Sequence, residues 1–123
     1  MTSETKLKLA NIIIDWCKQY DVWMDCCIYF DGKAWATWDE WKDVKGTEIM
    51  EGVYEYADKN PKDYIEYANP DTITMSFEGG LYDILNANCY GWVKRYDEFE
   101  ELFKPFGCYF ELGYAWSFSV YEI

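Results

Sequence analysis

The side chains with chemistry to offer are mostly carboxylates. The sequence has 23 Asp and Glu against 11 Lys and Arg, a formal charge of −12 at neutral pH, and no histidine. Without histidine, neither a Ser-His or Cys-His nucleophile nor a histidine-bearing metal site can form. A carboxylate pair could act as the acid and base of glycoside hydrolysis, but 23 acids produce close pairs by chance. We therefore expect a protein that is not an enzyme.

The thiols predict structure rather than chemistry. No C-x-x-C occurs, and Cys26 and Cys27 would point to opposite faces of a strand, where they could not chelate one ion. An odd count without a secretion signal is typical of reduced cytosolic thiols that pack as small apolar side chains. The five cysteines are Cys17, Cys26, Cys27, Cys89 and Cys108. We expect no disulfide, no metal and no cofactor.

Other motifs are missing from the sequence. Gly79-Gly80 lacks the Lys-Ser/Thr sequel of a phosphate loop, and no D-x-D-x-D-G run surrounds Asp31-Gly32. The apolar stretch at residues 9–14 is interrupted by Asn11, so it does not predict a signal peptide. No window approaches the roughly 18 apolar residues of a membrane span. The expected location is the cytoplasm.

Carboxylates are concentrated in the middle of the chain. Residues 63–93 contain no Lys or Arg, and residues 97–101 hold four acids. Burying so many charges is costly, so they are expected at the surface. They could simply keep that surface solvated, or they could face a basic partner. The central acids are Asp39, Glu40, Asp43, Glu48, Glu51, Glu55, Asp58, Asp63 and Glu66.

The second interpretation is the more specific one. Carboxylates spaced along strand edges and a helix can imitate duplex phosphates and steer the protein to a basic site. Exposed Trp41 and mid-chain tyrosines would be the apolar anchors. The expected partner is a basic nucleic-acid enzyme; an acidic chain is a poor ligand for nucleic acid itself or for an anionic membrane. The candidate partner-binding residues are Asp39, Glu40, Trp41, Asp43, Glu51, Glu55, Asp58, Asp63, Glu66, Glu98 and Glu101.

Size, charge and aromatic content carry a resemblance. The stretches Trp38-Asp39-Glu40-Trp41 and Asp97-Glu98-Phe99-Glu100-Glu101 combine acids with large rings. In these respects the chain resembles the small inhibitors that phages and mobile elements encode against host nucleases, the anti-CRISPR and antirestriction proteins that mimic DNA. The resemblance implies an inhibitor of a CRISPR or restriction nuclease, located in the cytosol of the host cell if a phage encodes the protein. It assigns no individual residue.

Two other functions stay open. The acidic face could belong to an adaptor or structural protein that docks a basic partner without inhibiting it. Trp35, Trp38 and Trp41 could instead form a stacking platform for a carbohydrate. On a strand, however, Trp35 and Trp38 have opposite parity, so at least one of them is expected in the core.

The elements that would position these residues fit one domain, residues 1–123. Ser3 is expected to cap a helix running to about Tyr20, because its apolar residues recur at three- and four-residue steps. Asp31-Gly32 between two β-prone runs, residues 24–30 and 33–38, predicts a hairpin. A polar connection then carries Trp41.

Two competing patterns occur in the middle of the chain. Residues 53–56 and 63–67, separated by an Asp58-to-Pro61 turn, favour a second hairpin over a helix spanning residues 47–57. Residues 72–77 alternate as a half-buried strand, and residues 81–85 form a short apolar helix.

The last third predicts a helix and a long strand. Asp97, with Glu100 in capping-box spacing, would begin a helix that ends at Pro105 and Gly107 and turns Phe99, Leu102 and Phe103 inward. Residues 108–120 alternate as one long strand, with a bend expected at Gly113. The predicted fold is α+β: a mostly antiparallel sheet of five or six strands, covered by the N-terminal helix and one or two C-terminal helices.

Overall fold

The computed structural model describes residues 1–86 and 92–123. Cys89 lies outside these ranges. Three α-helices, nine strands and two 3-10 turns (Pro61–Asp63 and Lys104–Phe106) occur within them. In chain order the helices and strands are α1 (Ser3–Gln19), β1 (Cys26–Phe30), β2 (Lys33–Ala36), β3 (Glu40–Trp41), β4 (Val44–Lys45), β5 (Thr47–Met50), β6 (Val53–Tyr56), β7 (Thr74–Phe77), α2 (Gly80–Leu85), α3 (Trp92–Glu101), β8 (Cys108–Leu112) and β9 (Ser117–Glu122).

Seven strands form one antiparallel sheet in the order β5-β6-β2-β1-β7-β9-β8. The remaining pair, β3 and β4, makes a separate two-stranded hairpin. The α+β prediction is therefore confirmed, with one strand more in the main sheet than the predicted upper limit. That strand comes from the C-terminal segment, which folds back on itself.

The first hairpin is confirmed. β1 pairs with β2 across Asp31 and Gly32, which have φ angles of 51° and 74°. This two-residue turn needs positive φ at both positions, and Gly and Asp tolerate it. α1 and α2 also lie where they were predicted, although the α1 cap is Thr2, whose hydroxyl accepts from the Thr5 N–H, rather than Ser3.

The second hairpin was predicted with the wrong partner. β6 pairs with β5 across Glu51 and Gly52, where Gly52 has a φ of 73°. Residues 63–67 form no strand, and the alternative helix over residues 47–57 is also wrong. Pro61 instead opens a 3-10 turn, which its fixed φ favours and which takes the chain out of the sheet. We call residues 57–72, which cross one face of the sheet, the strap.

Two C-terminal predictions need correction. α3 begins at Trp92, so Asp97 lies inside the helix and makes no capping box; the helix still ends before Gly107, which is left-handed with a φ of 65°. The predicted long strand is a hairpin, in which the Gly113 N–H donates to the Ser117 carbonyl. The expected bend at Gly113 is thus a complete reversal of the chain direction between β8 and β9.

The two faces of the sheet have different covers. The helix face packs β-strand side chains such as Ile28, Met75 and Phe118 against α1, α2 and α3 in the larger core. The strap face packs Cys27, Tyr29 and Tyr56 against the strap and the β3–β4 hairpin in a smaller one. Of the α3 segment, Phe99 and Phe103 are fully buried and Leu102 is half-buried. The strap face is where the aromatic and acidic side chains meet.

Candidate binding surface

Five rings on the strap face form what we call the aromatic cluster: Tyr29, Trp38, Trp41, Tyr56 and Tyr64. Trp41 is central, with its ring centroid 4.9 Å from that of Tyr64 and 5.5 Å from those of Trp38 and Tyr56. Alternation along β1 and β6 directs Tyr29 and Tyr56 to this face, since both have partners in the smaller core. The strap adds Tyr64, which is 37% exposed. Tyr29 and Tyr56 are thus buried against the sheet, whereas the other three rings are partly exposed to solvent.

Glycine allows the β3–β4 hairpin to lie on the sheet. The Gly46 N–H donates to the Asp39 carbonyl at 2.9 Å, which closes the hairpin. A Cβ at Gly46 would stand 2.8 Å from Cζ of Tyr56 and 2.9 Å from Cβ of Tyr54. Because Gly46 has no side chain, the backbone of the hairpin can approach the two tyrosines closely. This close approach places Trp41 over the sheet.

Two lysines of the chain lie over rings of the aromatic cluster. Nζ of Lys59 is 4.5 Å from the Trp41 ring centroid, and Nζ of Lys42 is 5.4 Å from that of Tyr64. Both distances fall within the range of cation–π attraction. The Lys59 backbone is fixed by a hydrogen bond from its N–H to the Gly32 carbonyl at 2.9 Å.

Six predicted site residues lie on the hairpin or the strap, and all six are exposed: Asp39, Glu40, Asp43, Asp58, Asp63 and Glu66. Asp39 and Glu40 share Lys45 at 3.8 and 3.9 Å, in pairs that water screens strongly. Burial, and then the negative charge of Asp39, raises the pKa of the Tyr56 hydroxyl. These six carboxylates outnumber the four lysines of the same segments, Lys42, Lys45, Lys59 and Lys62, so the net charge beside the aromatic cluster is negative.

Three other predicted site residues are engaged elsewhere in the chain. Glu55 accepts a hydrogen bond of 2.9 Å from Trp35 Nε1 and faces Lys33 at 3.8 Å. Glu98 pairs with Arg95 at 3.1 Å, and Glu101 pairs with Lys104 at 2.6 Å. Glu98 and Glu101 lie on α3, on the opposite side of the sheet from the strap.

Glu51 stands apart from the other predicted residues. It lies in the exposed β5–β6 turn at the edge of the sheet, where its backbone carbonyl accepts a 2.6 Å hydrogen bond from Lys18 Nζ. The structure therefore gathers Trp41 and six of the ten predicted acids, and separates the other four.

The tryptophans do not form a flat platform. Trp35 is only 4% exposed and packs on the helix face, edge-on to Phe30 at 4.8 Å. Trp38 lies on the strap face, as its opposite parity predicted. Its ring meets Trp41 at 81°, so the two rings offer no common plane to a sugar.

A second aromatic group on this side of the sheet was not predicted. Tyr114 and Trp116 stack with centroids 5.1 Å apart, and Tyr67 lies 5.2 Å from Tyr114. The Tyr114 hydroxyl donates to the Glu66 carboxylate at 2.7 Å. A depression of about 290 Å³ lies beside them and includes Glu111. Alternation along residues 108–120 predicts Tyr114 and Trp116 on the same face of one strand as Phe118 and Val120; the reversal that begins at Gly113 moves them to this side instead.

The described cysteines are all buried: Cys17, Cys26, Cys27 and Cys108. Burial raises the pKa of Cys26 and Cys27 to about 12 and that of Cys108 to about 11, so none is a ready thiolate. In residues 1–86 and 92–123 no group of three Cys, Asp or Glu side chains is placed to hold a metal ion. Within the same ranges, no helix has the length and apolar character needed to cross a bilayer.

The fold and this surface define an α+β domain with an acidic, aromatic sheet face. No protein-family model, curated protein or solved structure matches the chain.

Proposed function

We propose that this protein is a non-catalytic binding domain whose strap face occupies the nucleic-acid-binding site of a basic protein and thereby inhibits it. The observation that carries the proposal is the combination of acids and large rings on one face of the sheet. Six exposed carboxylates lie on the hairpin and the strap beside the aromatic cluster, and they outnumber the four lysines of the same segments. A surface used only for solubility does not require large rings among its charges.

The physical logic has two parts. Exposed carboxylates steer the protein toward a Lys- and Arg-lined channel and set the rate of encounter, which falls as salt rises. Half-exposed rings such as Trp41 and Tyr64 give contacts that persist once the interface is dry. An acidic domain that fills such a channel excludes the duplex by competition, without any chemical step.

Two charge-neutralised variants test the proposal. The first changes five strap-face acids to their amides: D39N, E40Q, D43N, D58N and D63N. The matched control changes five exposed acids of the helices: E4Q, D15N, D83N, D97N and E100Q. Both lose the same charge, so only the position of that charge differs.

The measurement is affinity capture from host lysate on immobilised protein, eluted by a rising salt gradient. We expect the unchanged protein and the helix control to retain a nucleic-acid-binding protein that added duplex DNA displaces. The strap-face variant should retain less than about a tenth of it, since several steering charges are lost together. Equal retention by both variants, or a partner indifferent to duplex, contradicts the proposal.

A further inference from the structure

We propose that the aromatic cluster is a receptor for arginine side chains, and that Lys42 and Lys59 occupy its ring faces while no partner is bound. The inference rests on the proposed function and specifies the chemistry of the partner. It predicts a preference for arginine over lysine that charge alone does not produce.

The two lysines show where a cation is stable on this surface. Lys59 and Lys42 hold their ammonium groups over Trp41 and Tyr64, at 4.5 and 5.4 Å from the ring centroids. Among the described residues neither Nζ lies within 4.0 Å of a carboxylate oxygen. The ring faces, rather than the nearby exposed acids, are therefore the positions these cations take.

A guanidinium fits this site better than an ammonium. It is planar, stacks on aromatic faces, is weakly hydrated, and can also donate to a carboxylate through its fork. Asp43 and Asp58, the sequence neighbours of Lys42 and Lys59, are exposed. An arriving arginine can thus replace a tethered ammonium on the ring and hydrogen-bond to an acid at the rim. A lysine of the partner would make only the ring contact that Lys42 or Lys59 already makes, so the exchange brings no additional interaction.

The chain offers a matched control for this exchange. Lys62 lies on the same strap, is exposed, and reaches the Glu66 backbone carbonyl at 3.2 Å rather than a ring. K59Q and K62Q therefore remove the same charge from the same segment. Because the Lys59 backbone is held by Gly32, K59Q changes the ring contact and leaves the path of the strap intact.

The test is calorimetric titration with two probes of equal charge, nona-arginine and nona-lysine peptides, at fixed salt. We expect the unchanged protein to bind nona-arginine about five-fold or more tightly than nona-lysine, a ratio within reach of one or two cation–π contacts. K59Q should strengthen nona-arginine binding by about three-fold relative to K62Q, because it frees the Trp41 face.

Ring removal is the second arm. Y64L, at a partly exposed ring, and W41L should each reduce the arginine preference toward one while leaving nona-lysine affinity within about two-fold. Circular dichroism identifies any variant that fails to fold, and Y64L keeps the test decisive if W41L does not.

The failures are distinguishable. Equal affinity for both peptides, or equal effects of K59Q and K62Q, overturns the arginine receptor. If the unchanged protein binds both peptides equally and the five-acid strap-face variant binds neither, the arginine receptor is wrong. The proposed acidic docking face would still be supported.

Discussion

The hydroxyl of Tyr56 donates a hydrogen bond of 3.0 Å to the backbone carbonyl of Trp38. The bond connects β6 in the main sheet to Trp38, the residue just before the segment that forms the β3–β4 hairpin. Tyr56 is 3% exposed and Trp38 is half-buried, so a carbonyl left without this donor would be partly shielded from water. The contact connects sheet stability to the position of Trp41.

Replacing Tyr56 by Phe should therefore destabilise the protein. We expect Y56F to lower the free energy of unfolding by about 1 kcal/mol, the usual effect of losing one partly buried hydrogen bond. Urea denaturation followed by circular dichroism measures it. Y54F, on the neighbouring half-buried tyrosine, is the control: its hydroxyl faces the exposed Glu48, so its loss should shift the midpoint much less than Y56F does. If both variants behave alike, the Trp38 carbonyl is not held by this bond.

A methyl group at Gly46 should displace the hairpin. The added Cβ would stand 2.8 Å from the Tyr56 ring, closer than carbon atoms can approach. We expect G46A to lose about 1–3 kcal/mol of stability through overpacking. It should also weaken binding of basic peptides, because Trp41 moves with the hairpin. V44A, at an exposed position of the same hairpin, should change neither thermal stability nor affinity.

The ion pair between Lys6 and Asp31 should make stability depend on pH. Lys6 Nζ donates to the Asp31 carboxylate at 2.5 Å, and this hydrogen bond holds the pKa of Asp31 below its ordinary value. A depressed carboxyl pKa contributes stability above the unfolded pKa of about 4 and loses it as pH falls through the folded pKa. The Lys6 side chain is 11% exposed, so an unpaired ammonium there is unfavourable.

We expect D31N, which tolerates the positive φ of this position, to lose about 0.5–1.5 kcal/mol at pH 7, because water screens the exposed Asp31 carboxylate. The difference from the unchanged protein should shrink steadily below about pH 4. Urea denaturation at a series of pH values measures both quantities. A difference that stays constant from pH 7 to pH 2 would show that Asp31 acts through packing and not through its charge.

The buried thiols should be unreactive in the folded protein. Because burial raises the pKa of Cys26 and Cys27 to about 12, both remain protonated at pH 8. In a timed assay with a chromogenic disulfide reagent, Cys17, Cys26, Cys27 and Cys108 should be protected until denaturant is added. All five cysteines should then react. Rapid labelling of any of these four in native buffer, located by peptide mass spectrometry, would contradict the packing described.

Local signals in the sequence predicted local structure well. Asp31-Gly32 specified its hairpin because few residues accept two successive positive φ angles. The opposite faces of Trp35 and Trp38 followed from strand parity alone. Turn chemistry and periodicity act over a few residues, which is the range that a sequence pattern describes directly.

Pairing between distant segments was harder to predict. β6 has two plausible partners in the sequence, and the choice of β5 over residues 63–67 depends on how the strap packs on Tyr29 and Tyr56. The same packing decides which acids gather. Glu55 falls on the helix face because β6 places it opposite Trp35, which spacing along the chain does not reveal. The acid content predicted that an acidic surface would exist. Which acids lie together on it depends on the pairing of the strands.

The strap has a further consequence through its place in the topology. It connects two halves of the sheet, β5-β6-β2-β1 and β7-β9-β8, which meet in the strand order along the β1–β7 ladder. Opening that ladder would separate the halves while each hairpin stays paired, but its two strands are largely buried, so this opening is expected to be rare. A partner bound across the strap would hold both halves together. Amide hydrogen exchange at Ile28 and Met75, which face each other across the seam, should then slow on binding.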